Sequence, residues 1–99
     1  MKYELQSTRT FTRWFSSLKD RTVRNQLLSR LARVETGQFG DSKLLDANLY
    51  ELRCFFGGGL RVYYTLRHQQ IVLLLAGGNK SSQSRDIEKA KALLLDLED

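Results

Sequence analysis

Apolar residues in the first third of the chain recur at helical spacing and predict two amphipathic helices. The first stripe, spaced i, i+3, i+4 and i+7, consists of Phe11, Trp14, Phe15 and Leu18. The second stripe consists of Val23, Leu27, Leu31 and Val34. Thr8 or Thr10 is the expected cap of the first helix, Asp20 caps the second, and Gly37 ends it. A short alternating segment, Lys2 to Ser7, predicts a strand before them.

After the second helix the pattern changes to alternation, which predicts strands. The segments Tyr50 to Phe56 and Leu60 to Leu66 flank three glycines and predict a hairpin. Ile71 to Ala76 is apolar on both faces and predicts a central strand. Gln38 to Asn48 has no clear period and predicts a loop. A final helix, capped by Ser82 or Ser84, is expected to bury Ile87, Ala90, Leu94 and Leu97. The sequence thus predicts one α+β domain over residues 1–99, ordered β-α-α-β-β-β-α, with a mostly antiparallel sheet packed by helices.

The hairpin sorts its side chains into two faces with different chemistry. If Phe56 faces Leu60, paired residue numbers sum to 116 and Arg53 lies opposite Tyr63. The even-numbered face is apolar, and Cys54 belongs to it. The odd-numbered face carries Glu51, Arg53, Phe55, Arg61, Tyr63 and Thr65. Guanidiniums suit phosphate oxygens and an aromatic ring can stack on a base, so we expect this face to be open to a nucleotide chain. The alternative is an ordinary solvent-facing sheet with Glu–Arg pairs.

The charge balance favours a polyanionic partner. Sixteen basic residues against eleven acidic ones give a net charge of +5 and a pI near 9.7. Residues 1–67 hold twelve bases and six acids, and therefore carry the whole surplus. Four arginines on the second helix are expected to form a solvated face: Arg21, Arg24, Arg30 and Arg33. The alternative is that the charge only keeps a small protein soluble.

The sequence excludes several classes of protein and several kinds of site. The longest aliphatic run, Ile71 to Ala76, is too short for a membrane span, and the first residues lack the apolar stretch of a secretory signal. We therefore expect a cytoplasmic protein with no membrane partner. Cys54 is the only cysteine and His68 the only histidine, which excludes an internal disulfide and gives no basis for a metal site or a cofactor. Lys80 follows Gly77-Gly78 in a turn between a strand and a helix. This turn either binds an anion or only connects the two elements, and its residues do not have the spacing of a P-loop.

Several sequence blocks, taken together, resemble one known family. They are Phe11-x-x-Trp14, Leu18-Lys19-Asp20, Arg30-Leu31-Ala32-Arg33, Gly40-Asp41-x-Lys43, Tyr50-Glu51-Leu52-Arg53, Gly57-Gly58-Gly59-Leu60-Arg61-Val62-Tyr63-Tyr64, Leu74-Leu75-Ala76-Gly77-Gly78-Asn79-Lys80-Ser81-Ser82-Gln83 and Asp86-Ile87-x-x-Ala90. Over almost the whole chain they resemble the RelE/ParE toxin superfamily, in particular its HigB-type addiction module killer protein branch, which is phage-derived and Gp49-like. The chain departs from that branch where Gly-Pro-Gly-Tyr is common, because it carries Gly58 and Leu60 there.

The resemblance implies a small RelE-like fold and the toxin of a type II toxin–antitoxin system. It implies an mRNA endonuclease that acts on the ribosome without a metal. It also implies a helix-turn-helix antitoxin as partner, and the toxin is expected to contact operator DNA only through that antitoxin. The antitoxin is expected to cover either the arginines of the second helix or the sheet face. The alternatives are a ParE-like inhibitor of DNA gyrase and an inactive antitoxin-binding module.

The resemblance also assigns residues to the site. Arg61 matches a phosphate-binding arginine, while Arg53 and Lys80 lie where relatives place basic residues. Tyr63 enters from the hairpin register alone, and Glu51 or Tyr63 is the expected proton acceptor. The predicted catalytic residues are Arg61, Arg53, Lys80, Tyr63 and Glu51. The predicted RNA-binding residues are Lys43, Phe55, Arg53 and Arg61.

Overall fold

The computed structural model describes residues 2–97. Its elements are β1 (Glu4–Ser7), α1 (Arg9–Ser17), α2 (Arg21–Glu35), β2 (Ser42–Asp46), β3 (Leu49–Arg53), β4 (Arg61–Arg67), β5 (Ile71–Gly78), a 3-10 turn (Lys80–Ser82) and α3 (Gln83–Leu97). The domain predicted over residues 1–99 includes Met1, Glu98 and Asp99, which lie outside the described residues. Among residues 2–97, no helix is both long and apolar enough to cross a membrane.

The strands form one mixed sheet in the order β1-β5-β4-β3-β2. β1 pairs parallel with β5, and the other three pairings are antiparallel. The α+β class and the mostly antiparallel sheet are therefore confirmed, with one strand more than predicted. The prediction of a loop over Gln38 to Asn48 is wrong for β2. A register shift between Leu44 and Asp46 interrupts its alternation, and most of its side chains are exposed at the sheet edge.

The helices α1 and α2 begin at local caps, as predicted. Thr8 Oγ1 accepts a hydrogen bond from the Phe11 amide, and Asp20 Oδ1 accepts one from the Thr22 amide. These helices cover one face of the sheet. Their buried core consists of Phe11, Leu27, Leu31, Val34, Leu52, Cys54, Leu60, Val62, Tyr64, Val72 and Leu74.

α3 covers part of the opposite face and builds a second core. That cluster consists of Leu49, Tyr63, Leu73, Leu75, Ala76 and Ala90, with Ile87 and Leu94 partly buried against it. A register shift in β4–β5 between Tyr63 and Tyr64 helps to bring Leu75 and Ala76 into the same cluster. Leu97, which was expected to be buried, lies in the last turn of α3 and is 37% exposed.

The hairpin register differs from the prediction by two residues. Arg53 pairs with Arg61 and Glu51 with Tyr63, so the paired numbers sum to 114. The loop between β3 and β4 is longer than the three glycines. The Cys54 amide donates to the Leu60 carbonyl, and within the loop the Phe56 carbonyl accepts from the amides of residues 59 and 60. A shift of two residues keeps every side chain on its predicted face, because side chains alternate with period two.

Candidate nucleic-acid interface

Two arginines stand side by side where β3 and β4 approach their connection. Arg53 and Arg61 are directly paired on the face opposite α1 and α2. Lys80 joins them from the turn after β5, whose Gly78 pairs with Arg61. They line an open pocket of about 480 Å³, here called the basic pocket, formed by Asp41, Arg53, Cys54, Phe55, Gly59, Arg61 and Lys80.

Asp41 holds Arg53 along one edge of its guanidinium. Arg53 Nε and Nη2 donate to Asp41 Oδ1 at 3.2 and 3.0 Å. The Arg53 side chain is 42% exposed, so this ion pair is partly screened by water. Nη1 makes no hydrogen bond to residues 2–97 and remains able to donate to a phosphate oxygen.

Arg61 is held more deeply than Arg53. Its Nη1 donates to the Gly59 carbonyl at 2.9 Å, and its Nε lies 3.6 Å from Glu51 Oε2. The Arg61 side chain is 14% exposed and that of Glu51 is 2% exposed. Glu51 also accepts a hydrogen bond from Gln83 Nε2 at 2.8 Å. The expectation that Glu51 faces open space is therefore wrong, because its carboxylate lies buried between Arg61 and the start of α3.

The odd-numbered hairpin face is divided in two by α3. Tyr63 is 0% exposed and Thr65 is 1% exposed, so the expectation that these side chains are open is also wrong. The cause is the packing of Ala90 and its neighbours on α3 against Tyr63. Burial, followed by the charge of Glu51, raises the pKa of Tyr63 far above its ordinary value, so the phenol stays protonated. Only the end that carries Arg53, Phe55 and Arg61 remains open.

Of the predicted RNA-binding residues, Phe55 lies at the basic pocket and Lys43 does not. Phe55 is 87% exposed, an unusual position for a large apolar ring. Lys43 is exposed on β2, opposite Glu51, and does not line the pocket. The structure therefore brings together Arg53, Arg61, Lys80 and Phe55, with Glu51 and Tyr63 buried beside them.

Arg30 supports the pocket from below and was not predicted to do so. It is 7% exposed and donates to the carbonyls of Arg53 and Phe39 at 2.8 Å each, and of Asp41 at 3.3 Å. The prediction of a solvated side chain is wrong for Arg30. Position 30 follows Leu27 by three residues and precedes Val34 by four, so helical spacing already places it beside the apolar stripe. This spacing is the feature of the sequence that indicates a buried side chain at position 30.

The remaining reactive side chains lie away from open solvent or outside the basic pocket. Cys54 is buried in the first core, as predicted, and burial raises the pKa of its thiol. His68 lies exposed in the turn between β4 and β5, at a φ of 54°. Within residues 2–97, no three His, Cys, Asp or Glu side chains are grouped to hold a metal ion.

Comparison with known sequences identifies one family and one relative. The family described as phage-derived protein Gp49-like (DUF891) matches residues 13–94. An uncharacterized protein of Haemophilus influenzae is 38% identical over 97 residues, which cover 98% of each chain.

Comparison with solved structures supports the same fold. The free form of a double mutant of the Escherichia coli toxin RelE superposes with a TM-score of 0.69 and 21% identity, covering 90% of this chain and 98% of that one. A chain of the intact E. coli RelBE toxin–antitoxin complex gives a TM-score of 0.65 at 24% identity, covering 78% of this chain and 95% of that one. The RelE-like fold is therefore confirmed.

Proposed function

The chain belongs to the family of phage-derived Gp49-like proteins, and we propose that it is the toxin of a type II toxin–antitoxin system that cleaves ribosome-bound mRNA. The observation that carries this proposal is the convergence of Arg53, Arg61 and Lys80 on one open pocket beside an exposed phenylalanine. Three cations and an aromatic ring fit a phosphodiester and its base. The RelE-like fold supports the same function.

The proposed reaction is attack of a ribose 2′-OH on the adjacent phosphate, which forms the bond from the 2′-oxygen to phosphorus and breaks the bond from phosphorus to the 5′-oxygen of the next nucleotide. The products are a 2′,3′-cyclic phosphate and a 5′-hydroxyl, whose oxygen takes a proton from water as it leaves. The phosphorane that forms carries extra negative charge, which Arg61 and Arg53 stabilise through the N–H groups that the protein leaves unengaged. Because Asp41 and Glu51 fix these guanidiniums beforehand, little reorganisation is needed when the charge develops.

Glu51 and Tyr63 act as positioning residues in this proposal. Both are buried, and the raised pKa of Tyr63 keeps its hydroxyl neutral. Glu51 lies beside Arg61 and orients it, and Tyr63, which pairs with Glu51 across the two strands, packs under α3. Asp41 is the carboxylate that lines the basic pocket in the described structure, and it takes the place of Glu51 or Tyr63 as proton acceptor. Such a weak base requires that the ribosome hold the RNA in line.

Cleavage of ribosome-bound mRNA by the purified protein is the direct test. Arg61→Ala should reduce the cleavage rate by about 100-fold, the usual cost of removing one preorganised donor to a developing charge. Arg33→Ala removes the same charge from an exposed site on α2 and should leave cleavage unchanged. Circular dichroism melts must show that both variants are folded. Equal cleavage by Arg61→Ala and the wild type would remove Arg61 from the site, and inhibition of gyrase supercoiling with intact mRNA would overturn the proposed function.

The proposed partner is a helix-turn-helix antitoxin. The E. coli RelE structures include complexes with an antitoxin, and this supports a neutralising partner for the present chain, which shares their fold. Co-expression with the product of the neighbouring reading frame should restore growth that the toxin alone arrests. Continued arrest despite a stable complex of the two proteins would contradict neutralisation.

A further inference from the structure

A second basic surface lies between α1 and α3, next to the segment whose Gly78 and Asn79 line it and whose Lys80 lines the basic pocket. The opening has a volume of about 500 Å³ and is here called the α1–α3 cleft. Arg13 reaches it from α1, and Arg85 and Lys89 reach it from α3. In the part of the chain that the structure describes, none of these three side chains forms an ion pair. The cleft thus has cations on both walls that are free to meet an external anion.

The floor of the cleft depends on two glycines and a tryptophan. A Cβ at Gly77 would overlap the six-membered ring of Trp14, so the indole lies directly on the strand. A Cβ at Gly78 would overlap the carboxylate of Asp86, which accepts a hydrogen bond from Ser82. Trp14 is only partly buried and lines the cleft. The floor therefore offers an aromatic surface between the basic walls.

We propose that the α1–α3 cleft is a second RNA-binding subsite, in which a base stacks on Trp14 and flanking phosphates contact Arg13, Arg85 and Lys89. The inference rests on the proposed function, because it extends the path of the same RNA. Guanidinium groups and an indole together are the usual elements of a single-strand site. The three cations outweigh the single carboxylate, Asp86, so the lining retains positive charge.

The position of the cleft agrees with a continuous RNA path. Gly78 lies in the floor of the cleft and pairs with Arg61 of the basic pocket. Paired strands lie about 4.8 Å apart, so the two sites are separated by little more than one strand and the turn that carries Lys80. A short single-stranded oligonucleotide can therefore contact both. An acidic protein segment could use the same cations, but it would not need the indole between them.

Trp14 is the only tryptophan in the chain, so its fluorescence reports directly on the cleft. A short single-stranded RNA should quench it in the wild-type protein. The double variant Arg85→Gln/Lys89→Gln should weaken binding at least tenfold and lower the slope of log affinity against log salt by about 1.4, which corresponds to two phosphate contacts. The matched control Arg21→Gln/Arg33→Gln removes the same charge from exposed positions on α2 and should bind as the wild type does.

The outcomes separate this subsite from the proposed cleavage. Arg61→Ala should lose cleavage but retain the quenching of Trp14. Absence of quenching, or equal weakening by the α3 and α2 double variants, would overturn the subsite while leaving cleavage at the basic pocket intact. Quenching of Trp14 fluorescence by the antitoxin but not by RNA would show that the cleft binds a protein partner, and would overturn the RNA subsite. Quenching without cleavage by any form of the protein would support the subsite and refute the endonuclease.

Discussion

Replacing Arg30 by methionine should destabilise the whole domain, although the residue carries a charge and lies on a helix. The guanidinium is buried and donates to the carbonyls of Arg53, Phe39 and Asp41. Methionine fills much of the same space but cannot donate. The substitution therefore leaves three carbonyl oxygens without the donor that now reaches them.

The magnitude follows from these contacts. Hydrogen bonds that involve a charged group contribute roughly 1.5–3 kcal/mol each. Two of the three bonds from Arg30 are short and the third, at 3.3 Å, is weaker. Removing a buried charge recovers part of the loss, because its desolvation is no longer required. We expect a net loss of about 3 kcal/mol in the free energy of unfolding for Arg30→Met. For a domain of this size, that lowers Tm by roughly 12–24 °C.

Urea denaturation followed by circular dichroism measures the effect. Arg30→Lys keeps the charge but lacks the planar fork, so its stability should fall between those of the wild type and Arg30→Met. Arg33→Met changes an exposed arginine three residues further along α2 and should cost less than about 0.5 kcal/mol. A loss below about 1 kcal/mol for Arg30→Met would refute the reasoning that these three bonds support the basic pocket.

Three further predictions concern buried groups. Tyr63→Phe removes a buried hydroxyl that has no hydrogen-bond partner within residues 2–97, so stability at pH 8 should be unchanged or higher by about 1 kcal/mol. Because folding raises the pKa of Tyr63, wild-type stability in urea should fall as the pH rises above about 10, the unfolded value, and Tyr63→Phe should lose less. Native Cys54 should react with a thiol reagent far more slowly than it does in urea, and equal rates would contradict its burial. Gly78→Ala, which drives a methyl group into Asp86, should cost more than about 2 kcal/mol in thermal melts, whereas Gly58→Ala meets no atom and should cost only the roughly 1 kcal/mol of its positive φ.

The sequence was most informative where structure depends on neighbours along the chain. The caps Thr8 and Asp20 and the stripes of α1 and α2 follow from spacing within one helix, and the structure confirms them. The hairpin faces were also correct although the register was not, because an error of two residues does not change the side to which a side chain points. Arg53 and Arg61 therefore came together as predicted.

The features that the sequence does not predict depend on contacts between distant segments. Nothing in the alternation of residues 50–66 shows that α3 docks over Tyr63 and Glu51 and leaves the outer end open. The edge strand β2 is not predicted because a register shift and solvent exposure hide its alternation. Arg30 is buried although its charge predicts a solvated side chain, because its position on α2 lies beside the apolar stripe.

The placement of β5 between β1 and β4 determines when the sheet can form during synthesis of the chain. β1 pairs with residues 71–74, so its four residues have no strand beside them until those later residues have been synthesised. Lys80 comes later still, and without it the basic pocket lacks one of its three cations. Since nascent domains fold only when their long-range partners have emerged, a domain with this strand order would complete its basic pocket only after residue 80 has been synthesised.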